Sequence, residues 1–175
     1  MIRVYQGRRP RLANGAWVDG SAMVLGDVSL GEDASVWPMS VLRGDVNRIE
    51  VGARTNIQDG SVVHVAHDGP YSPGGLPAII GDDVTVGHRA VIHACRIGER
   101  CLIGIGAIVL DGAVVESDTI LGAAALVPPG KHLEGGHLYI GAPAKAARPL
   151  TDEEREHLVY SANHYVSVKE SHRGV

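Results

Sequence analysis

Aliphatic residues recur at every sixth position through most of the chain, and this period constrains the fold more than any other feature of the sequence. A period of six matches neither the turn of an amphipathic helix, about 3.6 residues, nor the alternation of a half-buried strand. It is typical of a hexapeptide β-helix, in which each unit is one short strand followed by one corner. The aliphatic positions are Val18, Val24, Leu30, Val36, Leu42, Val51, Ile57, Val63, Ile80, Val86, Ile92, Ile97, Ile103, Val109, Val115, Leu121 and Val127.

Two further positions of each unit hold small residues. The fourth residue after the aliphatic one is usually small, and a glycine often follows the aliphatic residue directly. We expect the aliphatic side chains to point inward, the small residues to fit crowded corners, and the glycines to permit the turns. Three units would form one triangular coil. The alternative is an ordinary β-sandwich, which does not explain so long a series at one period.

The repeat and its interruptions predict one domain over 1–175. The β-helix is expected over about 11–148, with a loop rich in Pro and Gly at 66–79 and a C-terminal helix over about 152–170. Thr151 and Glu154 have the spacing of a capping box at the start of that helix. We expect the helix to pack back along the β-helix or onto a neighbouring subunit.

The charge and the apolar segments exclude several classes of partner. The net charge is -4 and the pI about 6.1, so no basic surface favours nucleic acid. No segment has the length and hydrophobicity of a signal peptide or a membrane span. The two cysteines, Cys95 and Cys101, form no disulfide framework. We therefore expect a cytoplasmic protein without membrane or nucleic-acid partners.

Two histidines occupy equivalent places in the repeat. His64 follows Val63, and His93 follows Ile92, so each holds the second position of its unit. If the loop at 66–79 leaves from a corner, the two units are one coil apart, and the imidazoles stack at a strand spacing of about 5 Å. Two imidazoles at that distance can share one ion with metal–nitrogen bonds of about 2.0–2.1 Å.

His88 holds a different position in its unit and should therefore lie on a different face. It reaches the same ion most easily from a neighbouring subunit around a threefold axis. The prediction is a metal at each subunit interface, with His64 and His93 from one chain and His88 from the next. Three histidines leave an open position for water, as in catalytic zinc sites. The alternative is three unrelated polar histidines.

Four segments together resemble the γ-class carbonic anhydrase family over nearly the whole chain. The resemblance implies an all-β, left-handed parallel β-helix of hexapeptide repeats with one C-terminal α-helix. It also implies a homotrimer with metal at its subunit interfaces, usually Zn²⁺, with Fe²⁺ or Co²⁺ possible. The segments are SVWPMSVLRGD (35–45), TNIQDGSVVH (55–64), TVGHRAVIHAC (85–95) and YSANHYV (160–166).

The resemblance also implies roles for individual residues. The metal ligands are His64, His88 and His93. Gln58 lies near the metal-bound hydroxide and orients it, and Asn56 positions the substrate or Gln58. For Gln58 the alternative is a solvated strand residue.

The remaining carried-over residues are polar or aromatic. Arg43 and Asp59 resemble an interface ion pair, and Asp45 belongs to the same polar cluster. Tyr165, on the terminal helix, is expected to reach the metal pocket. The alternatives are a surface position for Arg43 and core packing for Tyr165.

The activity that the resemblance implies is that of a lyase: reversible hydration of CO2 to bicarbonate by a metal-bound hydroxide. The sequence departs from the most active relatives at Val46, where they carry an acid. The loop after the first histidine offers His67 and Asp68 where they carry an acidic proton shuttle. We therefore expect complete or near-complete metal binding with slow or conditional hydration.

Three other functions remain open from the sequence. The same metal site could serve a thioesterase or another metal-dependent hydrolase. A hexapeptide acyltransferase would use a histidine base and no metal. A non-enzymatic interaction scaffold would need neither. Cys95, two residues after His93, is expected to be a plain structural thiol, the alternative being a fourth metal ligand, and Trp17 and Trp37 are expected to be packing residues.

Overall fold

A computed structural model describes residues 1–173, which form a parallel β-solenoid of about eight turns followed by one helix. The predicted fold class is confirmed. The helix α1 spans Asp152–Arg173. In chain order the strands of this part of the chain are β1 (Ile2–Arg3), β2 (Arg11–Leu12), β3 (Trp17–Val18), β4 (Met23–Leu30), β5 (Ser35–Val36), β6 (Val41–Val51), β7 (Asn56–Ile57), β8 (Val62–His64), β9 (Ala78–Ile80), β10 (Thr85–Val86), β11 (Val91–His93), β12 (Arg96–Ile97), β13 (Leu102–Ile103), β14 (Ile108–Val109), β15 (Val114–Val115), β16 (Ile120–Leu121), β17 (Leu126–Val127), β18 (His132–Leu133), β19 (His137–Ile140) and β20 (Lys145–Pro149).

The strands stack into three faces. The first face runs β4-β6-β8-β11-β14-β17, and the second runs β4-β6-β9-β12-β15-β18. Both contain β4 and β6 because these two strands pass through a corner. The third face runs β3-β5-β7-β10-β13-β16-β19-β20. Its strand pairs are parallel, except that β19 and β20 are antiparallel.

The core consists of the aliphatic positions of the repeat. Every one of them from Val24 to Val127 is buried, and Val18 is half-buried. The small residues at the corners, from Ala22 to Ala125, are also buried. Burying each Val, Leu or Ile side chain contributes roughly 1.5–3 kcal/mol, so the repeat itself supplies most of the driving force for folding.

The glycines that follow the aliphatic residues have a different role from the one expected. The positive φ of the corners falls instead on the third residue after the aliphatic one, such as Arg54 and Asp83, both with φ 57. A Cβ added to Gly52 would lie 2.4 Å from the carbonyl carbon of Gly81 in the next coil. The expectation that these glycines permit the turns is therefore wrong: glycine is needed because adjacent coils approach too closely for a side chain.

The loop between β8 and β9 leaves the solenoid and closes on itself. The backbone N–H of Ala66 donates to Leu76 at 2.9 Å, and that of Leu76 donates to Ala66 at 3.0 Å. Beyond this closure, Gly69 and Ser72 form a further bridge, and Tyr71 at the tip is fully exposed. The coil resumes at β9, which pairs with β6 in regular parallel register.

The helix α1 begins with a capping box and packs back along the third face of its own chain. The Thr151 N–H donates to Glu154 Oε2 at 2.9 Å, and the Glu154 N–H donates to Thr151 Oγ1 at 3.2 Å. The buried side of the helix carries Leu158, Ala162 and Lys169. Within residues 1–173 no helix is long and apolar enough to cross a membrane.

Candidate metal centre

The parallel pairing of β8 with β11 places His64 opposite His93. The two ring centroids are 5.1 Å apart, and His64 Nδ1 lies 3.1 Å from His93 Nε2. Two nitrogens bound to one tetrahedral zinc at about 2.0–2.1 Å are separated by about 3.3 Å. The observed spacing therefore fits a pair of ligands for one ion.

The second nitrogen of each ring contacts a carboxylate. His64 Nε2 lies 3.1 Å from Asp45 Oδ1, and His93 Nδ1 lies 2.5 Å from Asp111 Oδ1. A carboxylate accepts hydrogen bonds, so these contacts favour the tautomers with the ring hydrogens on these nitrogens and the lone pairs on the facing nitrogens. Histidine ligands of metals commonly have such carboxylate partners. The donor set thus fits a divalent metal by chemistry as well as by spacing.

The electrostatic environment favours a neutral His64 ring and an ionised Asp45, as the hydrogen bond between them requires. Burial lowers the pKa of His64 in spite of the hydrogen bond to Asp45, so the ring is neutral, as a metal ligand must be. Burial alone would raise the pKa of Asp45, but hydrogen bonds from Arg43 and His64 lower it below its ordinary value. Asp45 therefore remains a carboxylate, paired with the Arg43 guanidinium. We call Arg43, Asp45, His64, His93 and Asp111 the first half-site.

His88 lies elsewhere, at the corner that follows β10. Its Nδ1 is 3.0 Å from Asp59 Oδ2, and its side chain is 45% exposed. Nε2 is therefore the nitrogen left to bind a metal. Within the part of the chain that the structure describes, no three His, Cys, Asp or Glu side chains are grouped to hold a metal ion.

Asn56 and Gln58 are buried near His88 and are fixed by a chain of hydrogen bonds. Gln58 Nε2 donates to Asn56 Oδ1 at 3.0 Å, and Asn56 Nδ2 donates to Thr85 Oγ1 at 3.1 Å. The Thr85 hydroxyl lies 3.0 Å from that of Ser161 on α1. These hydrogen bonds orient the Gln58 amide, and its side-chain carbonyl oxygen accepts no hydrogen bond from residues 1–173.

Tyr165 lines the same cavity as Gln58 and His88, which has a volume of about 420 Å³. It also packs against Trp37, with ring centroids 5.3 Å apart. Burial, and then the charge of Asp59, raise the pKa of Tyr165. Tyr165 therefore packs between the helix and the solenoid and also borders this cavity, and its place in a metal pocket stays a prediction. We call Asn56, Gln58, Asp59, His88 and Tyr165 the second half-site.

The structure therefore divides the predicted site residues into two groups. Arg43 and Asp59, which the resemblance pairs across an interface, are in different groups, and each has another partner within the chain. Asp111 was missed by sequence reasoning because a single Asp 18 residues after His93 carries no signal until the coils are in register. Cys95 is buried, which raises the pKa of its thiol to about 12.

Comparison with known proteins identifies the family, although no family model matches. Protein YrdA of Escherichia coli is 51% identical over 172 residues, which cover 98% of this chain and 94% of that protein. Gamma carbonic anhydrase 2, mitochondrial, of Arabidopsis thaliana is 44% identical over 165 residues, 94% of this chain. The matched region spans 59% of the length of that plant protein.

A solved structure that is similar in sequence has the same fold as this chain. The hexapeptide transferase family protein from Anaplasma phagocytophilum is 40% identical and superimposes with a TM-score of 0.89. The match covers 97% of this chain and 96% of that one. Repeat, fold and relatives lead to one conclusion: the chain belongs to the γ-class carbonic anhydrase family of hexapeptide-repeat proteins.

Proposed function

We propose that the protein holds a divalent metal ion, Zn²⁺ or Fe²⁺, between subunits of a homotrimer and reversibly hydrates CO2 to bicarbonate. The observation that carries the proposal is the pair His64 Nδ1 and His93 Nε2, 3.1 Å apart with carboxylates on their other nitrogens. When bound, such a metal lowers the pKa of a water ligand to near 7 and so supplies the nucleophile.

The third ligand is assigned to a neighbouring subunit. The first half-site has two imidazoles whose nitrogens face each other, and the second has one imidazole, His88, whose side chain is 45% exposed. A cyclic trimer can bring the first half-site of each chain against the second half-site of the next. Each of three interfaces would then hold His64 and His93 from one subunit and His88 from the other.

Gln58 is assigned the orientation of the attacking water. Its Nε2 is held by Asn56, so its carbonyl oxygen is the group available to accept a hydrogen from water. Gln58 and His88 border one cavity, which supports a role for Gln58 beside the third ligand. Asn56 acts through Gln58 and is a positioning residue.

Removal of the proton from the water that would bind the metal is the step for which the chain offers the fewest suitable side chains. Asp45, Val46 and His67 border a cleft of about 330 Å³ beside the first half-site. Val46 offers no titratable group, and Asp45 is held as a carboxylate by Arg43 and His64. His67 is therefore the imidazole to which we assign proton transfer to buffer.

The test is stopped-flow CO2 hydration by protein loaded anaerobically with Fe²⁺ or with Zn²⁺, beside metal-treated His93→Ala. Metal-dependent hydration that the variant lacks would support the proposal. Absence of hydration by a fully metallated trimer would exclude carbonic anhydrase activity while leaving the metal site intact.

The second candidate is hydrolysis of an acyl thioester at the same metal site. It is favoured by the cavity beside His88 and Gln58, whose further lining includes Ile103, Ile105 and Leu121. A volume of about 420 Å³ exceeds what CO2 requires and suits a short acyl chain. Turnover of acyl-CoA without CO2 hydration, lost in His93→Ala, would favour this reaction. Acyl transfer that survives removal of the metal would instead indicate a hexapeptide acyltransferase.

A further inference from the structure

Asp111 lies at a corner that the backbone holds between two neighbouring coils. It follows β14, which pairs with β11 through Val91 with Ile108 and Ile92 with Val109. The Gly112 N–H donates to the Ala94 carbonyl at 2.8 Å, and the Gly130 N–H donates to the Asp111 carbonyl at 2.8 Å. The residue is therefore fixed relative to the strand that ends with His93.

The Asp111 carboxylate contacts His93 on the side of the ring opposite the candidate metal. Oδ1 lies 2.5 Å from His93 Nδ1, while His93 Nε2 faces His64. With the ring hydrogen on Nδ1, the lone pair is on Nε2, which is the nitrogen aimed at the shared ion.

The two carboxylates of the first half-site differ in their own partners. Asp45 is paired with the Arg43 guanidinium as well as with His64. Asp111 pairs with His93, and in residues 1–173 no Arg or Lys side chain forms an ion pair with it. Within these residues, His93 is therefore the side chain to which the Asp111 carboxylate is hydrogen-bonded.

We propose that Asp111 is a positioning residue of the metal site, which fixes the hydrogen of His93 on Nδ1 and directs the Nε2 lone pair at the ion. The inference rests on the proposed function, because it assumes that His93 is a ligand. Carboxylate partners of this kind typically change metal affinity by about 10–100-fold.

The test compares Asp111→Ala and Asp111→Asn in the full-length protein, with Glu134→Gln as the matched control. Glu134 is exposed, and its side chain forms no hydrogen bond or ion pair within the described residues. Glu134→Gln thus removes one negative charge without touching a histidine. Zn²⁺ affinity is measured by competition with a chromophoric chelator, and the ring ¹⁵N shifts of His93 report its tautomer in metal-free protein.

Asp111→Ala should weaken Zn²⁺ binding by about 10–100-fold and populate both tautomers of His93. Asp111→Asn keeps an oxygen acceptor, so it should retain the tautomer and lose less affinity. Glu134→Gln should match the wild type in both measurements. Trimer mass and thermal unfolding, measured in parallel, separate this effect from loss of fold.

Wild-type affinity or an unchanged tautomer in Asp111→Ala would overturn the inference. Failure of the proposed function has a different signature. It would appear as wild-type protein that binds no Zn²⁺, or that binds Zn²⁺ and hydrates no CO2.

Discussion

Lys169 Nζ lies 2.8 Å from Asp33 Oδ1, and this contact joins the end of α1 to a corner of the solenoid 136 positions earlier in the chain. The Lys169 side chain is fully buried, while that of Asp33 is 33% exposed. Burial alone would lower the pKa of Lys169, but hydrogen bonds and charges from Asp33 and Glu170 raise it. The Lys169 ammonium is therefore charged in the folded protein. Its ion pair with Asp33 attaches the end of α1 to the coil that contains Trp37.

Lys169→Met should destabilise the protein by about 1–3 kcal/mol, because it leaves Asp33 without its buried partner. Partial exposure of Asp33 to water keeps the cost below that of breaking a fully buried pair. Arg173→Met is the control: Arg173 pairs with Glu170 at 3.2 Å on the surface, and its loss should cost no more than about 1 kcal/mol. The free energy of unfolding of both variants is measured by urea unfolding, and equal losses of stability would contradict the prediction.

The capping box predicts an acid-sensitive contribution to stability. Hydrogen bonds from Arg148 and Thr151 lower the pKa of Glu154 from 4.5 to about 2. Because the folded-state pKa is depressed, the stabilisation is fully present above the unfolded value and is lost as the pH falls toward 2. The free energy of unfolding of Glu154→Gln should therefore fall below that of the wild type at pH 6, and the difference should shrink between pH 4.5 and 2. A difference that is constant with pH would contradict the prediction.

A mixture of inactive variants should regain part of the metal sites if the sites lie between subunits. His88→Ala lacks the ligand of the second half-site, and His93→Ala lacks one ligand of the first. Random trimers from an equal mixture should contain about one quarter of the wild-type number of intact sites, because each mixed ring restores one interface of three. Metal content after co-refolding measures this, with each variant refolded alone as the control. Recovery of no sites would indicate that the ligands do not combine across an interface.

Gly52→Ala tests the close approach of the coils. The added Cβ would meet the Gly81 backbone at 2.4 Å, so we expect a loss of about 1–3 kcal/mol. Gly20→Ala is the matched control, since among residues 1–173 no atom outside its two chain neighbours lies within 4 Å of the added Cβ, and its φ is not positive. That variant should be neutral or stabilised by about 0.4–1 kcal/mol. The midpoint temperature of thermal unfolding should therefore fall in Gly52→Ala and stay unchanged or rise in Gly20→Ala.

The sequence was sufficient for the core because a solenoid repeats one local geometry, and the period of six reports that geometry at each unit. The role of Gly52 was not visible, since it depends on the distance to Gly81 in the next coil and not on the unit itself. The pairing of His64 with His93 followed from counting units across the loop. The contact of Lys169 with Asp33 could not be counted, because it depends on the direction in which the helix returns.

The candidate site shows the same limit. Residues inside regular units, such as Gln58 and His93, could be placed on a face from the period. Asp111 sits at a corner, where its contact with His93 depends on how one coil is seated on the next. The pairing of Arg43 with Asp45 is likewise a property of side-chain reach within one chain, and the pairing of Arg43 with Asp59 across an interface stays a prediction.

The loop between β8 and β9 lengthens the chain between His64 and His93. Its ends bond to each other at Ala66 and Leu76, so the loop is closed at its base, away from the exposed tip at Tyr71. A foreign peptide grafted at that tip should leave the spacing of His64 and His93 unchanged. In this solenoid, the distance between the two histidines in space thus does not depend on the number of residues between them. The tip of the loop is therefore a site at which a peptide can be inserted and displayed.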